Sequence, residues 1–191
     1  MSSQTNTLEA ILGSPRTVFT IQSLAMLTGQ TGSRLSKSLH YYAGEGKIRN
    51  PRRSVYTKPQ YDAEEMACSL FRPSYISLEY VLARAGVVFQ WDDAVTCVSY
   101  LSRTTEVDGR VYSFRKINPE IWMGMEGIVQ HENVAMAVPE RAFLDMMYLS
   151  GGNCYFDNLR PLSRKRIREL LPLYRSEKLN ERVAALLNVK G

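Results

Sequence analysis

The chain has 191 residues, 45% of them hydrophobic and 23% charged, with a formal net charge of +5. That balance suits a globular protein with one or two cores and excludes a disordered or collagen-like chain; no apolar run approaches the roughly 18 residues of a membrane span. Cys68, Cys97 and Cys154 lie far apart with no C-x-x-C pair, so neither a disulfide framework nor a zinc cluster is implied, and reduced thiols in a cytoplasmic protein are expected.

Met1 to Thr7 is polar, lacks an apolar signal region and reads as a mobile leader. A short helix around Leu8 to Leu12 follows, with Leu8, Ile11 and Leu12 expected to pack under the second helix of the module that comes next, and Gly13-Ser14-Pro15 ends it. From Phe19 to Tyr56 the pattern is a short strand, two helices joined by a tight turn, and a basic hairpin, which is the outline of a winged helix-turn-helix. Thr20 is the N-cap of a helix over 21–28 whose Leu24, Ala25 and Thr28 share a face, and Gly29 stops it.

A second helix begins near Gly32 and ends at Gly44-Glu45-Gly46, with Leu35, Leu39 and Tyr42 spaced as a buried stripe. Its opposite face carries Ser33, Arg34, Lys37, His40 and Tyr41, side chains that reach a phosphate or a base edge, so this is the candidate recognition helix. Arg34, Lys37 and Tyr41 are the candidates for the major groove. Lys47-Ile48-Arg49 and Ser54-Val55-Tyr56-Thr57 then flank Asn50-Pro51-Arg52-Arg53, a turn whose two arginines sit at the tip of a wing. Arg49, Arg52 and Arg53 complete the candidate DNA-binding set, the last two reaching backbone or minor groove. A solvated surface or a protein-binding helix-turn-helix would carry the same pattern. The charge distribution favours DNA: residues 16–58 hold a net +7 with Glu45 as their one acid, and the rest of the chain sums to −2.

The first domain is read as residues 1–61 and an α+β second domain as 62–191. Asp62 with Glu65 forms a capping box for a helix carrying Met66, Leu70 and Phe71. Ser77 is read as the N-cap of a further helix with Leu78, Val81, Leu82 and Ala85 inward and Gly86 at its end. Val95 to Leu101 and Val111 to Ile117 are strands joined by a hairpin at Asp108-Gly109, and Gly127 to Val129 pairs with Asn133 to Ala137. Together they imply a small antiparallel sheet. Pro139 opens a helix that closes at Gly151-Gly152 and buries Ala142, Phe143, Met146, Met147 and Leu149. Two terminal helices, 163–171 and 176–187, each begin at a serine N-cap. Glu140 sits at a helix N-terminus, and Arg141 with Asp145 is an i, i+4 pair worth a few tenths of a kcal/mol. Arg160, Arg164, Lys165, Arg166 and Arg168 form a second basic patch, either a solvated face or a surface for DNA phosphates or an acidic partner.

The succession of a winged helix, Pro73-Ser74-Tyr75-Ile76-Ser77-Leu78, Tyr112-Ser113-Phe114-Arg115-Lys116-Ile117 and Ala137-Val138-Pro139-Glu140-Arg141-Ala142-Phe143-Leu144-Asp145 resembles the AbiEi family of antitoxins, from about Phe19 to Leu187. The resemblance implies a type IV toxin-antitoxin system with a role in phage defence. The N-terminal winged helix would bind double-stranded DNA at the protein's own promoter and repress the operon. The C-terminal domain would neutralise a nucleotidyltransferase-type toxin encoded beside it.

No enzymatic constellation stands against this reading. The chain has no H-E-x-x-H, G-x-x-x-x-G-K-[ST], G-x-S-x-G or G-x-G-x-x-G, and its two histidines, His40 and His131, fall in different domains. Gly32-Ser33 is followed by no paired carboxylates at a spacing that holds two Mg²⁺ ions, and Glu45-Gly46-Lys47 has no upstream aspartate partner. No catalysis, cofactor or metal is therefore expected. The competing reading is a stand-alone winged-helix regulator whose C-terminal domain binds a ligand or another protein.

Overall fold

The computed structural model of the chain describes residues 6–89 and 93–189, so most of the leader lies outside the described residues. The chain divides into two compact units, Met1–Leu70 and Phe71–Gly191. Both mix helix and strand.

The first unit runs α1 (Thr7–Gly13), β1 (Val18–Thr20), α2 (Ile21–Thr28), α3 (Gly32–Gly44), β2 (Arg49–Arg52), β3 (Val55–Thr57) and α4 (Ala63–Leu70). Its sheet has the order β1-β3-β2, antiparallel throughout. Local chemistry sets both ends of α2. Thr20 accepts from the Ser23 amide while the Ser23 hydroxyl accepts from the Thr20 amide, a complete capping box, and Gly29 ends α2 in the left-handed region at φ +66°. Ile11, Phe19, Leu24, Leu35, Leu39 and Ile48 form the core, with Leu8, Ala25 and Tyr42 packed at its margin. Leu12, expected inside, is 50% exposed, because at i+1 from Ile11 it turns off the inward face of so short a helix.

Glu65 changes the reading of α4. Asp62 caps the helix by accepting the Glu64 and Glu65 amides, but Glu65 does not return the bond as a capping box requires. Its buried carboxylate instead accepts the Thr17 amide at 2.6 Å, the Thr17 hydroxyl at 2.8 Å and the Val18 amide at 2.8 Å. Three charge-assisted bonds bind α4 to β1, so the helix read from sequence as opening the second domain packs within the first unit.

The second unit contains β4 (Ser74–Ile76), α5 (Glu79–Arg84), β5 (Val95–Ser99), β6 (Arg103–Val107), β7 (Arg110–Lys116), α6 (Pro119–Met123), β8 (Ile128–His131), β9 (Val134–Ala137), α7 (Pro139–Leu149), α8 (Arg164–Leu170), a 3-10 turn over Leu171–Tyr174 and α9 (Glu177–Val189). Its sheet is neither small nor purely antiparallel. Six strands lie in the order β6-β7-β5-β4-β9-β8, with β5 parallel to β7 and β4 parallel to β9.

The Asp108-Gly109 turn is real, with φ +52° and +78°, but it joins β7 to the polar edge strand β6 rather than to β5. β5 is buried along its whole length, which fits a central strand with neighbours on both sides. Ser77 does not cap α5: its hydroxyl donates to Asp145 at 2.8 Å, and Leu78, at φ +61°, occupies the cap position. The serine caps of the last two helices do form, Ser163 accepting from the Arg166 amide and Ser176 from the Leu179 amide.

Candidate functional site

The first unit turns a basic face outward because its apolar residues turn the other way. On α3, Leu35 and Leu39 are buried and Tyr42 is half-buried, which leaves Ser33, Arg34, Lys37, His40 and Tyr41 exposed, the last at 59%. Tyr41 stands edge-on to Tyr42 with ring centroids 5.3 Å apart, and Tyr42 donates from its hydroxyl to Asn6 at 3.0 Å. The first contact lies within α3, and the second ties α3 to the residue that caps α1.

The hairpin after α3 differs from its expected form by two residues. β2 extends through Asn50, Pro51 and Arg52, so the turn is Arg53-Ser54, and Ser54 takes the left-handed conformation at φ +66°. Asn50 holds the bulged strand by donating to the carbonyls of Arg52 at 2.9 Å and Val55 at 2.7 Å. Arg53 is exposed at the tip, Arg52 is half-buried in the strand, and Arg49 lies 5.9 Å from the Tyr61 ring. Lys47 covers Tyr42 at the same distance. Recognition-helix and hairpin candidates thus belong to one compact unit.

The second basic set lies in the other unit. Arg160, Arg164, Lys165, Arg166 and Arg168 are all exposed, while Ile167 and Leu170 hold α8 down. Arg164, Lys165 and Arg166 occupy the first turn of α8, where the helix dipole disfavours cations by about 0.3–1 kcal/mol each. Lys165 finds Glu169 at 4.0 Å, and the buried Glu140 accepts the Ser163 amide at 2.9 Å, setting a carboxylate at the same helix end. Glu140 therefore serves α8, beyond its place in the first turn of α7.

Arg141 and Asp145 are no surface pair. Both side chains are 0% exposed, and they centre a buried polar network of the second unit. The guanidinium donates to Asp145 Oδ1 at 3.2 Å, to the carbonyls of Gly124 at 3.2 Å, Glu126 at 2.9 Å and Ile121 at 2.9 Å, and to the Tyr75 hydroxyl at 3.2 Å. That accounts for all five of its N–H groups. Asp145 Oδ1 also accepts from Tyr174 at 2.6 Å, and Oδ2 accepts from Tyr75 at 3.0 Å and Ser77 at 2.8 Å.

Burial raises the Asp145 carboxyl above its usual range against the opposing pull of Arg141 and the three hydroxyls, and it raises the phenols of Tyr75 and Tyr174 as well. With every donor and acceptor occupied and no solvent access, the network has no group left for a substrate. It joins β4, α7, the α6–β8 segment and the 3-10 turn. A buried pair of this kind is worth far more when broken than the few tenths assigned to an exposed one. Tyr75 in β4 and Ser77 just after it are two residues apart, a signal visible once 74–76 is seen as a strand; nothing in the sequence points to Tyr174.

Among the described residues no three His, Cys, Asp or Glu side chains group as metal ligands, and no helix is long and apolar enough to cross a membrane. No protein-family model matches the chain, and no curated protein matches it.

Proposed function

We propose that the chain is a DNA-binding antitoxin: residues 7–57 act as a winged helix-turn-helix that represses the protein's own operon, and the second unit neutralises a nucleotidyltransferase-type toxin. The observation that carries the DNA-binding half is the outer face of α3, where Arg34, Lys37, His40 and Tyr41 are exposed opposite the buried Leu35 and Leu39, with Arg53 at the tip of the following hairpin. The element order and the β1-β3-β2 sheet support the winged reading. In this reading α3 enters the major groove and the hairpin arginines meet the backbone or the minor groove. The binding needs no cofactor and no chemistry, only charge and shape.

The antitoxin half rests on the resemblance of the strings around Tyr75, Phe114 and Arg141 to the AbiEi family. The exposed Arg164, Lys165 and Arg166, held at the start of α8 where they cost stability, give the second unit a face for an acidic protein surface. Co-expression with the adjacent gene tests the proposal. The full chain should restore growth, and Arg34→Ala, Lys37→Ala should restore growth while losing repression of a promoter reporter. If growth and repression are lost together, the second unit does not neutralise on its own and a stand-alone regulator becomes the better account.

A further inference from the structure

The hairpin tip holds a serine beside Arg53, and Arg52 ends the strand before it. Arg53 and Ser54 are the two exposed turn residues between β2 and β3, preceded by Arg52, and Ser54 stands at φ +66°. Its carbonyl accepts the Ile21 amide at 3.3 Å, while its hydroxyl bonds to no described residue. Among the described residues, the hydroxyls of the exposed Ser102 and Ser163 and of the half-buried Ser14 and Ser176 each accept a backbone amide. Ser33 and Ser36 are exposed but locked in α3. β2 is an edge strand with two register pairs interrupted by a bulge, so the segment around Ser54 opens at small cost.

We propose that Ser54 is a phosphorylation site for a serine kinase that reads arginines before its target, and that the phosphate releases the hairpin from DNA. The inference rests on the DNA-binding reading above. In the transfer, Ser54 Oγ bonds to the γ-phosphorus of ATP, the bond from that phosphorus to the bridging oxygen breaks, ADP leaves, and the hydroxyl proton passes to the kinase's catalytic carboxylate. The product carries close to two negative charges beside Arg52 and Arg53, which pair with it instead of with DNA phosphates. A salt slope of roughly 0.9 per phosphate contact makes each contact worth about fivefold near 0.15 M salt. Two lost contacts lower affinity about 30-fold and the slope by about 1.8.

The test uses the full chain, its own upstream DNA, ATP and an arginine-directed serine kinase, with mass spectrometry locating the phosphate. Ser54→Asp and Ser54→Asn provide a charged and a neutral side chain that both tolerate the left-handed backbone. The expected result is phosphate on Ser54, the 30-fold loss in affinity, weaker binding by Ser54→Asp, and unchanged binding by Ser54→Asn. Phosphate found only on other residues overturns the proposal. So does Ser54 phosphate that leaves affinity and slope unchanged while Arg52→Ala, Arg53→Ala lowers both, an outcome that leaves DNA binding standing. If the unmodified chain binds no DNA, the functional reading falls and the switch falls with it.

Discussion

Asp145→Asn tests the energetics of the second unit at its centre. The substitution keeps the shape of the side chain and replaces one acceptor oxygen with an amide NH₂. Each carboxylate oxygen accepts two donors, Arg141 and Tyr174 on one and Tyr75 and Ser77 on the other, so the new amide faces two donors with a third. Two hydrogen bonds to a charged group are lost, each worth about 1.5–3 kcal/mol, and Arg141 is left buried without its counter-charge. The expected cost is about 3–5 kcal/mol, which lowers the melting temperature of a unit this size by roughly 10–20 °C. Urea and thermal unfolding followed by circular dichroism measure it. A loss below about 1 kcal/mol would refute the claim that the network is closed and dry. Arg141→Met should be at least as damaging, since it also strands the carbonyls of Ile121, Gly124 and Glu126.

Alkaline pH offers an independent check on the same network. Tyr75 and Tyr174 both have phenols raised by burial, so their contribution is full below the unfolded value near 10 and falls as pH rises beyond it. Stability should decline by about 2.7 kcal/mol per pH unit there for the two phenols, and Tyr75→Phe, Tyr174→Phe should flatten that slope. Gly127→Ala sets a Cβ 3.0 Å from that of Arg141 and 3.1 Å from Leu170 at a backbone φ of +76°; a loss of about 1–3 kcal/mol is expected in chemical unfolding. In the first unit Leu35→Ala should cost about 2–5 kcal/mol, as a fully buried leucine does, and hydrogen exchange should localise the loss to residues 1–70.

The first unit is the more legible in sequence because its signals are local. Thr20, Gly29 and the Leu35–Leu39 spacing act within one or two turns of a helix, and each places its element correctly. The hairpin turn lies two residues later than the sequence suggests, because Asn50-Pro51 favours reversal whereas Asn50 spends its side chain bridging a bulge. Errors in the second unit come from long-range pairing. Asp108-Gly109 declares a hairpin without saying which strand takes the second place, and β6, four of whose five residues are threonine or charged, hides as an edge. The Arg141–Asp145 spacing is the same on a surface and in a core. Tyr75, Ser77, Tyr174 and the carbonyls of Ile121, Gly124 and Glu126, arriving from other parts of the chain, distinguish the two.

The salt dependence of binding to the protein's own upstream DNA tests the central claim most directly. Fluorescence anisotropy with the full chain from about 50 to 200 mM salt gives the slope, which should fall by about 0.9 for each phosphate contact removed by Arg34→Ala, Lys37→Ala, Arg52→Ala or Arg53→Ala. A cation that reads a base should instead cost about 1–3 kcal/mol on the specific site and little on unrelated DNA. Binding that is absent, independent of salt, or indifferent to all four substitutions would contradict the account.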